Sequence, residues 1–306
     1  MKHYIYKYFS LLLILFIASA CNDSFSPHGD FHKSLVVFSL LDTRYHNQII
    51  KLQSSFELKD SSPDDKRLSN LNVTLSDGFN VYQFHDTTIA SDNYTYLVSD
   101  DFSLRRGIQY SLSVKTDAVP EVISKVIVPE SQYIYISYKD DKLQISHSKG
   151  SMVKGFLLRY YINFVIVEGN QILSEQSVEM PVNIITEENG TRVFLYPSFN
   201  KSSSHEYSLG FFSTELSRYA PSNPAQKLLV KNGTVVLFSI EESLYNYLST
   251  INGFNDPISV RLDIPNYSNI ANGHGIFSAI AKDSLTQNIP DYIVRALGFE
   301  SFNNSN

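Results

Sequence analysis

"LRRGIQYSLSV", residues 104–114, is the stretch that decides the fold. Leu104, Gly107 and Tyr110 stand at the spacing of a tyrosine corner. In that device a Tyr at the start of a strand turns its hydroxyl back onto the backbone a few residues upstream and pins a crossing between two sheets. Leu112 and Val114 then continue inward at period two, the side-chain repeat of a strand with one buried face. The strand, and a sandwich built around it, are the expectation from which the rest of the chain is read.

Working outward, the neighbouring segments are almost all strand-like. "SLVVFSLL" (34–41) reads as a buried strand and "QIIKLQSSF" (48–56) as an alternating one. "LNVTLSDGFNVYQF" (71–84) reads as a hairpin turning at Asp77-Gly78; a two-residue turn there pairs Val73 with Tyr82 and Leu71 with Phe84. "SKVIVPES" (124–131) closes the set. These elements predict an immunoglobulin- or fibronectin-like β-sandwich over 34–129.

A larger β-rich domain with one short helix is expected over 130–306. "QYIYISYKDDKLQISHS" (132–148) reads as a hairpin, and 154–180 as a long apolar strand, a Gly169-Asn170 turn and a more polar return. "HEYSLGFFS" (205–213) reads as a strand, and "AQKLLVKNGTVVLFSI" (225–240) as two strands turning at Asn232-Gly233. The helix is predicted after Ser239: Glu242 three residues on completes a capping box, Leu244, Tyr247, Leu248 and Ile251 follow at helical spacing, and Gly253 ends it. "ISVRLDI" and "GIFSAIA" complete the strands. The fold class is mainly β. The composition agrees, with 20 Tyr, 20 Phe and no Trp.

The N-terminus reads differently. Lys2, His3 and Lys7 form a basic head, Phe9 to Ala20 an apolar stretch, and Ala18-Ser19-Ala20 a small-residue end. This is the layout of a secretory signal peptide, too short for a membrane span, which needs about 20 apolar residues. The only cysteine, Cys21, follows directly. The end of this leader resembles a lipobox, which implies a bacterial lipoprotein precursor with a 1–20 signal peptide, Cys21 as the lipidation site, and an anchor of two or three acyl chains. Ala18 stands three before the Cys, where Leu is usual. Residues 21–33, polar and broken by Pro27 and Gly29, read as a tether reaching about 40 Å at about 3.3 Å per residue. No second cysteine remains for a disulfide, so the core alone must hold the fold.

Several stretches together resemble a family of lipoproteins of unknown function from Bacteroidetes-type bacteria. They are Cys21, "NVTLSDG" (72–78), "DDFSLRRGIQYSLSV" (100–114), "VIVPES" (126–131) and "NYSNIANGHGIFSAIA" (266–281). Members are associated with TonB-dependent outer-membrane receptors. The resemblance implies an outer-membrane, lipid-anchored accessory in nutrient uptake, with such a receptor as partner. It assigns no catalytic residue. The leaflet stays open, since only Asp23 follows the Cys as an acidic export signal.

Motifs for chemistry are sparse. The formal charge of −6 without a basic patch argues against nucleic acid. His28, Asp30 and His32 form a small cluster in the tether, read as chance rather than a metal site. The 60–67 stretch is acidic at Asp60, Asp64 and Asp65 but ends in Lys66 and Arg67, and reads as a solvated loop. There is no His-Glu-x-x-His and no Gly-x-Ser-x-Gly. Ser151 and Lys154 in "GSMVKG" have the Ser-x-x-Lys spacing of serine acyl-enzymes, but lead straight into a strand. Gly273 and Gly275 around His274 permit a tight turn closing a hairpin, or a ligand loop. Asp86-Thr87-Thr88 and Asp283-Ser284-Leu285 resemble an O-glycosylation motif. Tyr133 and Tyr135 in "QYIYISY" are the best candidates for exposed sugar-stacking rings, against ordinary strand packing. The expectation is therefore a non-catalytic binding component without cofactor or metal. A structural or adhesive surface protein is the alternative, and a glycan or peptide hydrolase the third reading.

Overall fold

The computed structural model describes residues 33–55, 68, 70–87, 95–99, 102–117, 119–252 and 267–302. Cys21 with its leader, the tether up to residue 32, the 60–67 loop and the strand expected at "ISVRLDI" lie outside the described residues.

The protein is mainly β. In chain order the first strands are β1 (Leu35–Asp42), β2 (Gln48–Ser54), β3 (Asn72–Ser76), β4 (Val81–Gln83), β5 (His85–Thr87), β6 (Thr95–Ser99), β7 (Gln109–Thr116) and β8 (Val119–Ile127). Then come β9 (Ile134–Lys139), β10 (Lys142–His147), β11 (Gly155–Glu168), β12 (Gln171–Glu179), β13 (Asn183–Thr186), β14 (Arg192–Leu195) and β15 (Ser204–Ser208). Helix α1 (Leu209–Ser217), β16 (Gln226–Ile240), α2 (Glu242–Asn252), β17 (Gly273–Gln287), α3 (Asp291–Ala296) and β18 (Glu300–Ser301) finish the chain.

A nine-stranded sheet runs β12-β11-β16-β17-β1-β2-β6-β5, with β18 beside β16. A four-stranded sheet, β4-β3-β7-β8, faces the β1–β6 end of it. Their inner faces interdigitate: Leu35, Val37, Leu52, Val73, Leu112 and Phe277 pack in one buried cluster. This is the expected sandwich, and its corner is present. Tyr110 is fully buried and its Oη accepts the Arg105 backbone N–H at 2.9 Å. A second cluster lies between β11 and β16 on one side and the three-stranded sheet β15-β10-β9 with α1 and α3 on the other. A small third cluster, with Ile240, Leu244, Ile276 and Ile280, seats α2.

The long sheet crosses the boundary expected at 129/130. Strand β17, from the far end of the chain, pairs in parallel with β1, Leu35 opposite Gly273 and Val37 opposite Gly275. Its other edge pairs antiparallel with β16. The two glycines are there for close approach rather than for a hairpin. A Cβ on Gly273 would stand 2.8 Å from the Leu35 carbonyl oxygen, and one on Gly275, at φ +103°, 2.0 Å from that of Val37.

Four local expectations are corrected. The 71–84 hairpin turns through four residues, so Leu75 faces Tyr82 and Ser76 faces Val81. The Asp77 carboxylate accepts the backbone N–H groups of Phe79 and Asn80 at 2.9 and 2.7 Å, which stabilises the longer turn. Asn232-Gly233 is no turn: β16 runs through it with a bulge opposite Asn163/Phe164, and Gly233 makes room for the Tyr160 ring. Ser208 ends β15, and "LGFFSTELS" is helical, since Leu209, Phe212 and Leu216 recur at spacings of three and four and all are buried. Finally, Ser239 is buried inside β16 and does not cap α2. Glu241 does, its carboxylate accepting the N–H groups of Ser243 and Leu244 at 2.5 and 2.8 Å. With α1 and α3, three helices stand among the described residues where one was expected.

Candidate functional site

A cleft of about 390 Å³ opens where the sandwich meets α2. Strands β7 and β8 supply Gln109 and Lys125, the 150–154 loop supplies Ser151, Met152 and Lys154, and the start of α2 supplies Glu241 and Glu242. Each wall is fixed by backbone requirements. The Lys154 N–H donates to the Ile240 carbonyl at 3.0 Å, docking the loop on the end of β16. Gly155 lets α2 come down, because a Cβ there would lie 2.6 Å from the Tyr245 ring. The Gln132 amide oxygen accepts the Gly150 N–H and the Ser148 hydroxyl, both at 3.1 Å, so the loop is also tied to the start of β9.

The electrostatics are balanced. Lys125 and Lys154 face Glu241 and Glu242, two charges of each sign. Burial raises the Glu241 carboxyl above the ordinary glutamate range, and its hydrogen bonds to Ser243 and Leu244 oppose that. Because this carboxylate already occupies the N-terminal amides of α2, the helix end is not open to an external anion. The lining suits a neutral, polar molecule. Ser151 and Lys154 line one cleft, in a loop that leads into β11 as read from the sequence and not on a helix.

Behind the cleft, an ion pair locks the sandwich to β17. Arg106 donates to Asp283 at 2.6 Å and to the Lys282 carbonyl at 2.6 Å, and the other Asp283 oxygen accepts the Gln132 backbone N–H at 3.0 Å. Asp283 therefore serves this knot, while Ser284 of the same triplet is exposed on β17; Thr88 of the other triplet lies outside the described residues. On the inner side of the three-stranded sheet, His147 and His205 lie with ring centroids 6.0 Å apart. The Ser148 carbonyl can only accept, so His147 Nδ1 at 2.7 Å carries the proton. The Nε2 atoms of both rings are buried without a partner, and burial pushes both imidazoles below their usual value. Nothing in sequence spacing joins residues this far apart.

Tyr133 and Tyr135 stand free of the core at 73% and 62% exposure, while Ile134, Ile136 and Tyr138 turn inward. The alternation read in "QYIYISY" is thus the alternation of β9. His274 is exposed beside its glycines. Among the described residues no group of three or more His, Cys, Asp or Glu side chains converges, and no helix is long and apolar enough to cross a membrane.

A family model described as a domain of unknown function, DUF4249, matches residues 23–286. The chain belongs to that family. The match takes in the first core, the second core apart from its α3 side, and every wall of the cleft, so the β1–β17 closure lies within the DUF4249 unit. No curated protein matches the chain.

Proposed function

We propose that this DUF4249 protein is a cell-envelope lipoprotein, anchored at the outer membrane through acyl chains on Cys21, that acts as a non-catalytic binding accessory of TonB-dependent nutrient uptake. The observation that carries the reading is the lone Cys21 placed directly behind an apolar leader and ahead of a polar tether. A membrane is then its first partner, through lipid, and a receptor its second. The charge-balanced cleft supports a holding role, since it offers hydrogen-bonding groups without the net charge that would select an ion. Nucleic acid is not a partner in this reading. The test is purification from native membranes. Mass spectrometry should find a diacylglyceryl group on Cys21, Cys21→Ala should release the protein from the membrane, and a TonB-dependent transporter should co-purify with the lipidated form. An unmodified thiol, or a chain that emerges alone, overturns the proposal.

One observation favours a second reading, hydrolysis: Ser151, Lys154 and Glu241 line the same cleft. Turnover of small chromogenic esters that vanishes in Ser151→Ala would establish it, and no turnover by the native chain would dismiss it.

A further inference from the structure

The outward face of the sheet β15-β10-β9 carries tyrosines among short polar and charged side chains. Tyr135 stands opposite Ser146, and Gln144 lies between Ser137 and Glu206. Tyr133 extends the same face by one pair: its N–H donates to Ser148 Oγ and its carbonyl accepts the Ser148 N–H, both at 2.9 Å. Two residues apart on one strand, the tyrosines stand about 6.7 Å from each other on the same side of the pleat. Their cross-strand neighbours are serines, too short to cover a ring. No aliphatic side chain points outward from these three strands.

Two open rings side by side on one strand face set this sheet apart. Several other exposed or half-buried rings lie under cations: Arg44 over Tyr45 at 5.1 Å, Arg218 over Phe194 at 4.6 Å, Lys201 over Tyr245 at 4.7 Å and Arg105 over Phe79 at 5.9 Å. Neither Tyr133 nor Tyr135 has such a neighbour among the described residues. Beside them a polar array is already ordered. Lys142 Nζ donates to Glu206 Oε2 at 2.9 Å and Gln144 Nε2 to Glu206 Oε1 at 3.0 Å. That leaves the Gln144 carbonyl, the remaining Lys142 donors and the outer carboxylate lone pairs directed at solvent.

This chemistry narrows the ligand. Without aliphatic side chains the face does not suit a lipid or the apolar centre of a protein interface. The Lys142 charge is neutralised by Glu206, which leaves Lys139, opposite Lys142, as one cation at the edge of the face, too little to hold a phosphate chain. What fits is a flat, neutral, hydroxyl-rich molecule with apolar C–H faces. The C–H face of a pyranose carries partial positive charge and meets the negative face of an aromatic ring, and its hydroxyls match a carboxylate–amide–ammonium array. We propose that this face binds a neutral oligosaccharide, stacking successive sugar rings on Tyr133 and Tyr135 and bonding their hydroxyls through Gln144, Glu206 and Lys142. The inference stands without the uptake reading, since it concerns a surface of the folded chain rather than its anchor.

The test is affinity electrophoresis of the full-length protein in mild detergent, through native gels containing a soluble β-glucan, xylan, mannan or α-glucan. At least one should retard the native chain. The double variant Tyr133→Ala/Tyr135→Ala should lose about tenfold or more in affinity for it, and Gln144→Ala a smaller part. Both tyrosines are exposed, so circular dichroism should show an unchanged fold. Phe79→Ala, on the tip between β3 and β4, should bind as the native chain does. No retardation in any of the four gels overturns the proposal, as does retardation that the double variant leaves intact.

Discussion

The two cores of this protein share one sheet but are closed by opposite means. The second core is built on a local hairpin and antiparallel pairing. Strand β11 is followed at once by its partner β12 across the Gly169-Asn170 turn, and the long β11–β16 pairing is antiparallel. The first core is closed by the far end of the chain. Strand β17 inserts between β16 and β1, pairing in parallel with a strand 238 residues earlier in sequence, Gly273 against Leu35. Each closure depends on a glycine where no Cβ fits, but what stands in the way differs. At Gly233 it is the tip of a side chain, Tyr160 Oη, 1.9 Å from where a Cβ would stand; at Gly275 it is the backbone of β1. A side chain can swing aside at moderate cost, whereas a paired strand cannot move without giving up its ladder.

That contrast is breakable by experiment. Gly275→Ala should have the largest effect, about 3 kcal/mol or more of lost stability, because it adds a backbone collision to an unfavourable φ of +103°. Chemical denaturation should then show the sandwich melting ahead of the second core; a single unchanged transition would sink the idea that β17 closes the first one. Gly233→Ala should cost less, about 1–3 kcal/mol. Tyr160→Phe in the same chain should return part of it by removing the colliding hydroxyl, so the two changes should be non-additive in a double-mutant cycle. Tyr110→Phe sharpens the picture within the sandwich: it strands the Arg105 N–H beside a buried ring and should cost about 1–2 kcal/mol, read from the midpoint of urea unfolding.

The smallest effect is a pH dependence belonging to the second core. His147 and His205 are held below their ordinary value by burial, so the unfolded chain binds more protons than the folded one as the medium is acidified. Their contribution is fully present above about pH 6.5, the ordinary histidine value, and is lost as pH falls through that value towards the lower folded ones. Near pH 6.5 the slope should be at most about 0.7 kcal/mol per pH unit for each ring. His147→Gln should flatten the urea-midpoint profile between pH 7.5 and 5.5 by about half. A profile as steep as the native one would remove His147 from the account.

Much of the strand order along the chain was readable, because each strand carries its own period-two pattern. The corner at Tyr110, the hairpin within 132–148 and the Gly169-Asn170 hairpin are all local in sequence. The shared phase of Tyr133 and Tyr135 was readable too, but their exposure was not, because alternation alone does not say whether a face meets solvent or another sheet. The errors share a cause. Asn-Gly at 232–233 has the composition of a turn, but its glycine answers to Tyr160, over seventy residues upstream. Ser239 has the composition of a cap, yet it is buried in a strand that the β17 pairing extends past it. "HEYSLGFFS" has aromatic, strand-like content, while its register against the second core is helical from Leu209. The cleft was out of reach altogether: Lys125, Lys154 and Glu241 come from three segments with no shared motif.

By itself the amino-acid sequence determined the β character of this DUF4249 chain, the tyrosine corner, the β9–β10 and β11–β12 hairpins and the phase of alternation in β9, since each depends on side-chain period and turn chemistry within about a dozen residues. Only the tertiary structure decided that one sheet unites both halves, that Gly233 and Gly275 serve close approach rather than turning, and that a charge-balanced cleft forms at the end of α2. Those features rest on contacts between residues distant in the chain, where burial and the exclusion of a single carbon atom, rather than local preference, select the arrangement.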